Sequence, residues 1–292
     1  MRTMALSIAA LAMLLGTPVL AADMALKAPS AAAAYDWTGC YIGANVGWIG
    51  SRDHVTLAPS GTYLNPPGIL APPNFLGTGD FASNIAALSN SYTRDGSGVL
   101  IGEQTGCNKQ VGQYVFGAEF DAQWTSLKSS VNTSYAAFPD SGNPAFTNSA
   151  HTEQASSRLE GLLTFRGRVG YAWDRLLLYV TGGLAVGEIK SQTNVTFAAT
   201  GAFTAVYDGA IHVSSTTTDR AGWVVGGGAE YAFAPHWSVK AELLYIDFGT
   251  ISSNSPLIAA TGPFAVGAGY SWSTKIRERD DVARVGVNYK LN

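Results

Sequence analysis

Charged residues two positions apart, two cysteines and four histidines are the side chains of this sequence whose types and spacing could do chemistry. The charges fall in short runs: Glu119 and Asp121, Arg158 and Glu160, Arg166 and Arg168, Glu188 and Lys190, Lys240 and Glu242, joined by Glu230, Arg284 and Lys290. Side chains two apart on an extended chain share a face, so each run sets its charges on one side of a strand. Opposite signs brought together in this way can pair, or they can line an ion-selective passage. The histidines offer less. His54, His151 and His212 lie in polar stretches and His236 in a turn, none on a strand beside a serine and a carboxylate as a nucleophile and its base would require. No catalytic residue, metal ligand or cofactor is assigned, and the chain is not expected to be an enzyme.

The segments that hold these charges alternate apolar and polar residues. At the end of the chain Ala283, Val285, Val287, Tyr289 and Leu291 oppose Arg284, Gly286, Asn288 and Lys290 without a fault. From Tyr114, the residues Phe116, Ala118, Phe120, Ala122 and Trp124 oppose Glu119, Asp121 and Gln123. A period of two marks a strand with one dry and one wet face. Similar segments at 37–48, 98–110, 114–128, 158–173, 176–192, 219–233, 237–249 and 275–292 predict eight strands. Short turns at 111–113, 174–175 and 234–236 alternate with long polar stretches at 49–97, 129–157, 193–218 and 250–274. Pro66, Pro67, Pro72 and Pro73 exclude ladder strands from their part of the first stretch. Beyond them, Phe81, Ile85 and Leu88 behind Asp80 predict one or two turns of helix.

Strict alternation of short and long connections between an even number of strands is the pattern of an antiparallel transmembrane β-barrel, with short periplasmic turns and long extracellular loops. The aromatics agree. Trp48, Trp124, Trp223 and Tyr245 fall near the loops, and Tyr114, Tyr171, Trp173, Tyr231, Trp237 and Tyr289 near the turns, as two girdles at the depth of lipid headgroups. The chain begins with Arg2, an apolar run over 5–15 and small residues to Ala22, which reads as a secretory signal peptide over 1–22. That run is well short of the roughly 20 residues of a spanning helix. Residues 23–36 then form an extended periplasmic lead and 37–292 the barrel. Only 13% of residues are charged, against about a quarter in soluble proteins, and a net charge of -3 without a basic cluster excludes nucleic acid. The surroundings expected are outer-membrane lipid and lipopolysaccharide.

Several strands carry a resemblance: Trp37-Thr38-Gly39 with Tyr41-Ile42-Gly43, Val115 to Glu119, Arg166 to Tyr171, Leu178 to Gly183, and Ala241-Glu242 with Tyr245, Asp247, Phe248 and Gly249. In these the chain resembles the Omp31/Omp25-type, porin-family outer-membrane β-barrel proteins of alphaproteobacteria. The resemblance covers the strands and leaves the loops unmatched. It implies a surface antigen and envelope support and, in some relatives, haem binding or weak pore activity. Arg284, Gly286, Tyr289 and Leu291 also resemble the terminal signal read by the barrel-assembly machinery, although the usual closing aromatic is replaced by Leu291 and Asn292.

Cys40 and Cys107 stand where that family usually carries aromatics. Antiparallel pairing of the first two strands would set both at the periplasmic end on the lipid-facing side, and cysteines in an oxidising compartment usually pair. A cross-strand disulfide is therefore expected, the alternative being two free thiols in lipid. For the inward charges the size of the barrel decides. Eight strands enclose only enough room for side chains to fill the interior, so cross-strand ion pairs are expected to plug it. The role expected is structural and interfacial. Two other readings stay open: a small diffusion pore, and a haem or host-ligand receptor using loop residues such as His54, His151 or Tyr207.

Overall fold

The structure, a computed structural model, describes residues 35–62, 87–139, 147–200, 205–206, 208–261 and 266–291. The expected signal peptide, most of the lead, Tyr207 and all but the end of the expected helix lie outside them; Ala87 and Leu88 are helical. Eight long strands close on themselves: β1 (Gly39–Gly61), β2 (Asn90–Val111), β3 (Tyr114–Tyr135), β6 (His151–Trp173), β7 (Leu176–Phe197), β9 (Ile211–Ala232), β10 (Trp237–Ala259) and β11 (Tyr270–Lys290). Neighbours in the chain are neighbours in the ring, every pair is antiparallel, and β1 closes on β11. The tight turns are built on left-handed residues, Gly112 at φ 63° between β2 and β3 and Asp174 at φ 51° between β6 and β7. Three two-residue strands, β4 (Phe138–Pro139), β5 (Thr147–Asn148) and β8 (Ala205–Val206), join the loop after β3 to the loop after β7.

Register sets the tilt. Followed across the ring from Tyr114 through Tyr171, Leu178, Ala229, Ala241, Val285, Val46 and Ile101, the pairing returns to β3 at Trp124, ten residues further on. That stagger in eight strands corresponds to a tilt of about 40°. Tyr114 belongs to the turn-side girdle and Trp124 to the loop-side one. At about 3.3 Å per residue along a strand so tilted, the two girdles stand about 25 Å apart, the height of the apolar band of outer-membrane barrels. Between them the outward side chains are exposed hydrophobics such as Ile42, Val46, Phe120, Phe165, Val180, Leu184, Leu243 and Val285. In water so large an apolar surface would drive aggregation. Its solvent is hydrocarbon.

The strands do not stop at the loop-side girdle. Each runs to between 21 and 23 residues, about 70 Å along its length and roughly twice what the band requires. Much of the four stretches read as loops is therefore wall, including 49–61, 90–97, 129–135, 151–157, 193–197, 211–218, 250–259 and 270–274. Outside the membrane both faces of a strand can be polar, so the contrast between faces that marks a spanning segment fades while the ladder continues.

Three irregularities lie near the level where the wall leaves the band. Register shifts between Trp124 and Leu127 on β3, between Leu159 and Gly161 on β6, and between Asp247 and Gly249 on β10. A bulge inserts one residue and reverses which side the following positions face. On β9 and β10 pairing breaks after Trp223↔Asp247 and resumes at His212↔Leu257, with Ser255 and Ser214 bridging the gap at 3.0 Å.

Candidate functional site in the barrel interior

Inward positions on five strands, β3, β6, β9, β10 and β11, supply one layer of ion pairs within the membrane band. Arg166 reaches Glu119, Asp121 at 2.9 Å and Glu242 at 3.2 Å. Lys240 sits 2.8 Å from Glu119 and 3.2 Å from Glu242, and Arg284 lies 2.9 Å from Asp121 with its Nε donating to Glu242 at 2.7 Å. Arg168 pairs with Glu230 at 3.0 Å and lies over the rings of Tyr41 and Tyr179. Four cations face four carboxylates, so the layer is neutral. Tyr41 donates to Glu119, Tyr179 donates to Glu242 at 2.8 Å, and Asn288 and Ser238 donate to Glu230. A chain of amides, Gln123 to Asn45 to Gln104 to Asn288, fills the side nearest β1 and β2. Arg166 and Asp121 are wholly buried.

Above and below, the interior is apolar. Trp37, Val115, Ala172, Leu177, Tyr179 and Ala232 close the turn-side mouth. On the loop side of the ion pairs, Ile49, Leu100, Leu127, Leu159, Leu162, Val224, Leu244 and Val282 pack across the barrel. A second polar layer follows, where Arg94 holds Asp53 at 2.7 Å and Ser129 and Ser157 donate to Asp53 and Glu278. Asp280 is buried there with neither carboxyl oxygen hydrogen-bonded. Glu278 lies in the wall beyond the girdle. Burial pushes its carboxyl up to about 7, the nearby Asp53 charge adding to the shift and Arg94 opposing it. Val55, Leu57, Leu88, Phe197, Leu257, Tyr270 and Trp272 then close the outer end.

Of the expected inward charges, Glu119, Asp121, Arg166, Arg168, Glu230, Lys240, Glu242 and Arg284 meet in this layer. Arg158 and Glu160 do not. The bulge between Leu159 and Gly161 turns them to the outside, where they form an exposed cluster with Lys190 at 2.6 Å from Glu160 and Glu188 at 3.7 Å from Lys190. Glu188 and Lys190 were expected inside as well, and face outward with them. Lys290 keeps the inward parity but lies at the turn-side rim, donating to the Asp36 carbonyl and lying over Tyr35. Sequence reasoning passed over Asp53 and Arg94, which fell in a stretch read as loop, and Glu278 and Asp280, which stand near the start of the last predicted strand. Alternation of Arg94 with Tyr92 and Gly96, and of Glu278 with Asp280 and Val282, was the available signal.

The cysteines stand directly opposite, Cys40↔Cys107, and are joined by a disulfide on the outer surface near the turn-side girdle. Three of the four histidines lie on strands rather than loops. His54 faces outward on β1 and hydrogen-bonds Ser91 at 2.9 Å. His151 is buried between the rings of Tyr135 and Phe197, and His212 is buried beside Trp272. His236 stays in its turn against Tyr289. Among the described residues no cluster of three or more His, Cys, Asp or Glu side chains is arranged to hold a metal ion.

The sequence matches the family model described as an outer membrane protein beta-barrel domain over residues 18–272. It is 32% identical over 291 residues to the 31 kDa outer-membrane immunogenic protein of Brucella melitensis biotype 1, covering 97% of this chain and 98% of that one. The protein of the same name from Brucella suis biovar 1 matches to the same extent. Among solved structures, the outer membrane protein OprG from Pseudomonas aeruginosa aligns with a TM-score of 0.41 and 12% identity, over 87% of this chain and 97% of that one.

Proposed function

Because this chain belongs to the outer membrane protein beta-barrel family, and so resides in a bacterial outer membrane, we propose that it is a closed, non-catalytic barrel that reinforces the envelope and displays its loop-side rim to the surroundings. One observation carries this: the four-to-four ion-pair layer fills the bore within the membrane band and is capped on both sides by packed apolar side chains. A solute would have to break several buried pairs at once, each desolvated and each held by further hydrogen bonds, and breaking even one such pair costs about 3–5 kcal/mol. Surface display accords with the immunogenic naming of the Brucella relatives. Insertion through the barrel-assembly machinery would be directed by the last strand, in which Arg284 joins the ion pairs, Tyr289 lies at the girdle, and the Leu291 amide donates to the Cys40 carbonyl.

Planar-bilayer recording of the folded protein tests the closed bore. The expected trace has no unitary steps in salt. Stable openings that also pass small sugars would overturn the reading in favour of a diffusion pore.

A further inference from the structure

The lipid-facing surface between the girdles is interrupted at one place. Among the described residues, Glu103 on β2 is the one charged side chain pointing outward inside the band, exposed and with no hydrogen-bond or ion-pair partner. Along its strand the outward positions run Lys109, Cys107, Thr105, Glu103, Ile101 and Val99. Lys109 lies at the turn-side girdle and reaches the headgroups, but Glu103 is three outward positions further in. Ionisable groups in hydrocarbon are costly, and they ordinarily meet a partner. Within this barrel Glu103 has none within reach, since the ion-pair layer lies on the other face of the wall.

Its surroundings narrow what that partner is. Glu103 stands between Ala44 on β1 and Ala122 on β3, in a shallow groove completed by Ile42, Thr105 and Phe120. Small side chains on both flanks let another backbone approach, which is how helices associate in lipid in the absence of a hydrophobic driving force. Apart from the girdle aromatics, Thr105 is the one other outward side chain in the band with a hydroxyl, amide or charge; it donates to the Tyr41 carbonyl at 3.1 Å and keeps lone pairs free to accept.

We propose that Glu103 marks a self-association face, on which two copies of this chain pair about a two-fold axis along the membrane normal. Both copies cross the membrane in the same direction, so any contact between them sets like heights together. At the height of Glu103, a second copy offers polar groups only on this same patch; every other face it could present there is hydrocarbon. The contact is therefore isologous, the two Glu103 carboxyls meeting across the axis and sharing a proton. This concerns the outer wall and stands independently of whether the bore conducts.

The test counts subunits of the full barrel in phosphatidylcholine vesicles by single-molecule photobleaching across a range of protein-to-lipid ratios. Wild type is expected to pair, Glu103→Gln to keep pairing through its amide, and Glu103→Leu and Ala122→Trp to weaken it about tenfold or more. Val180→Leu, on the lipid face of β7, is expected to behave as wild type. Cold-gel migration of unboiled samples checks that each variant is folded. Wild type that stays monomeric at high density, or folded Glu103→Leu that pairs as tightly as wild type, would overturn the proposal.

Discussion

Arg166 touches three carboxylates that come from two strands, Glu119 and Asp121 on β3 and Glu242 on β10. Replacing it with alanine leaves a net negative layer sealed between apolar ones, and single deletions from buried pairs cost about 3–5 kcal/mol. The urea midpoint of Arg166→Ala in lipid vesicles should therefore fall well below that of wild type. Arg158→Ala should leave the midpoint unchanged, because Arg158 is exposed outside the barrel. The disulfide gives a separate expectation. Closing Cys40 to Cys107 spans 67 residues, which in the chain-entropy model constrains the unfolded state by on the order of 4 kcal/mol. Cys40→Ala paired with Cys107→Ala should lower the midpoint while unboiled gel migration still reports a folded barrel.

The strands were legible where lipid lies on one side and side chains on the other. For β3 and β11 every outward and inward residue between the girdles can be read by counting in twos, and the eight-strand order follows. Counting fails at a bulge, and Arg158 and Glu160 show how. The count runs correctly back from Arg168 through Arg166 and Leu162, then meets one extra residue and exchanges inside for outside. Nothing in Leu159-Glu160-Gly161 marks the insertion beyond the glycine. It fails again above the membrane, where β9 reads Ile211-His212-Val213-Ser214-Ser215-Thr216-Thr217-Thr218 with little contrast between its faces. There the second polar layer was missed, and it has a measurable signature. The Glu278 carboxyl is raised from an ordinary 4.5 to about 7 by burial, so in this window the folded state holds a proton that the unfolded state has lost. Its contribution is fully present below pH 4.5 and disappears as pH rises toward 7. Urea midpoints measured across that range should decline with rising pH, and Glu278→Gln should flatten the decline.

Taken as one body, the barrel interior is layered in alternate strata: apolar at the turn-side mouth, ionic within the band, apolar, polar, and apolar again at the outer end. Each polar stratum lies between apolar ones, which supports the proposed closed bore. The height of the wall has a different consequence. Since the ladder climbs well past the outer leaflet and the loops after β3 and β7 are laced together by β4, β5 and β8, an antibody arriving from outside meets a stiff turret. Its epitopes would be made of side chains gathered from adjoining staves, so serum raised against the folded protein should lose most of its recognition once the antigen is boiled, and short synthetic peptides copied from the rim should compete poorly for it.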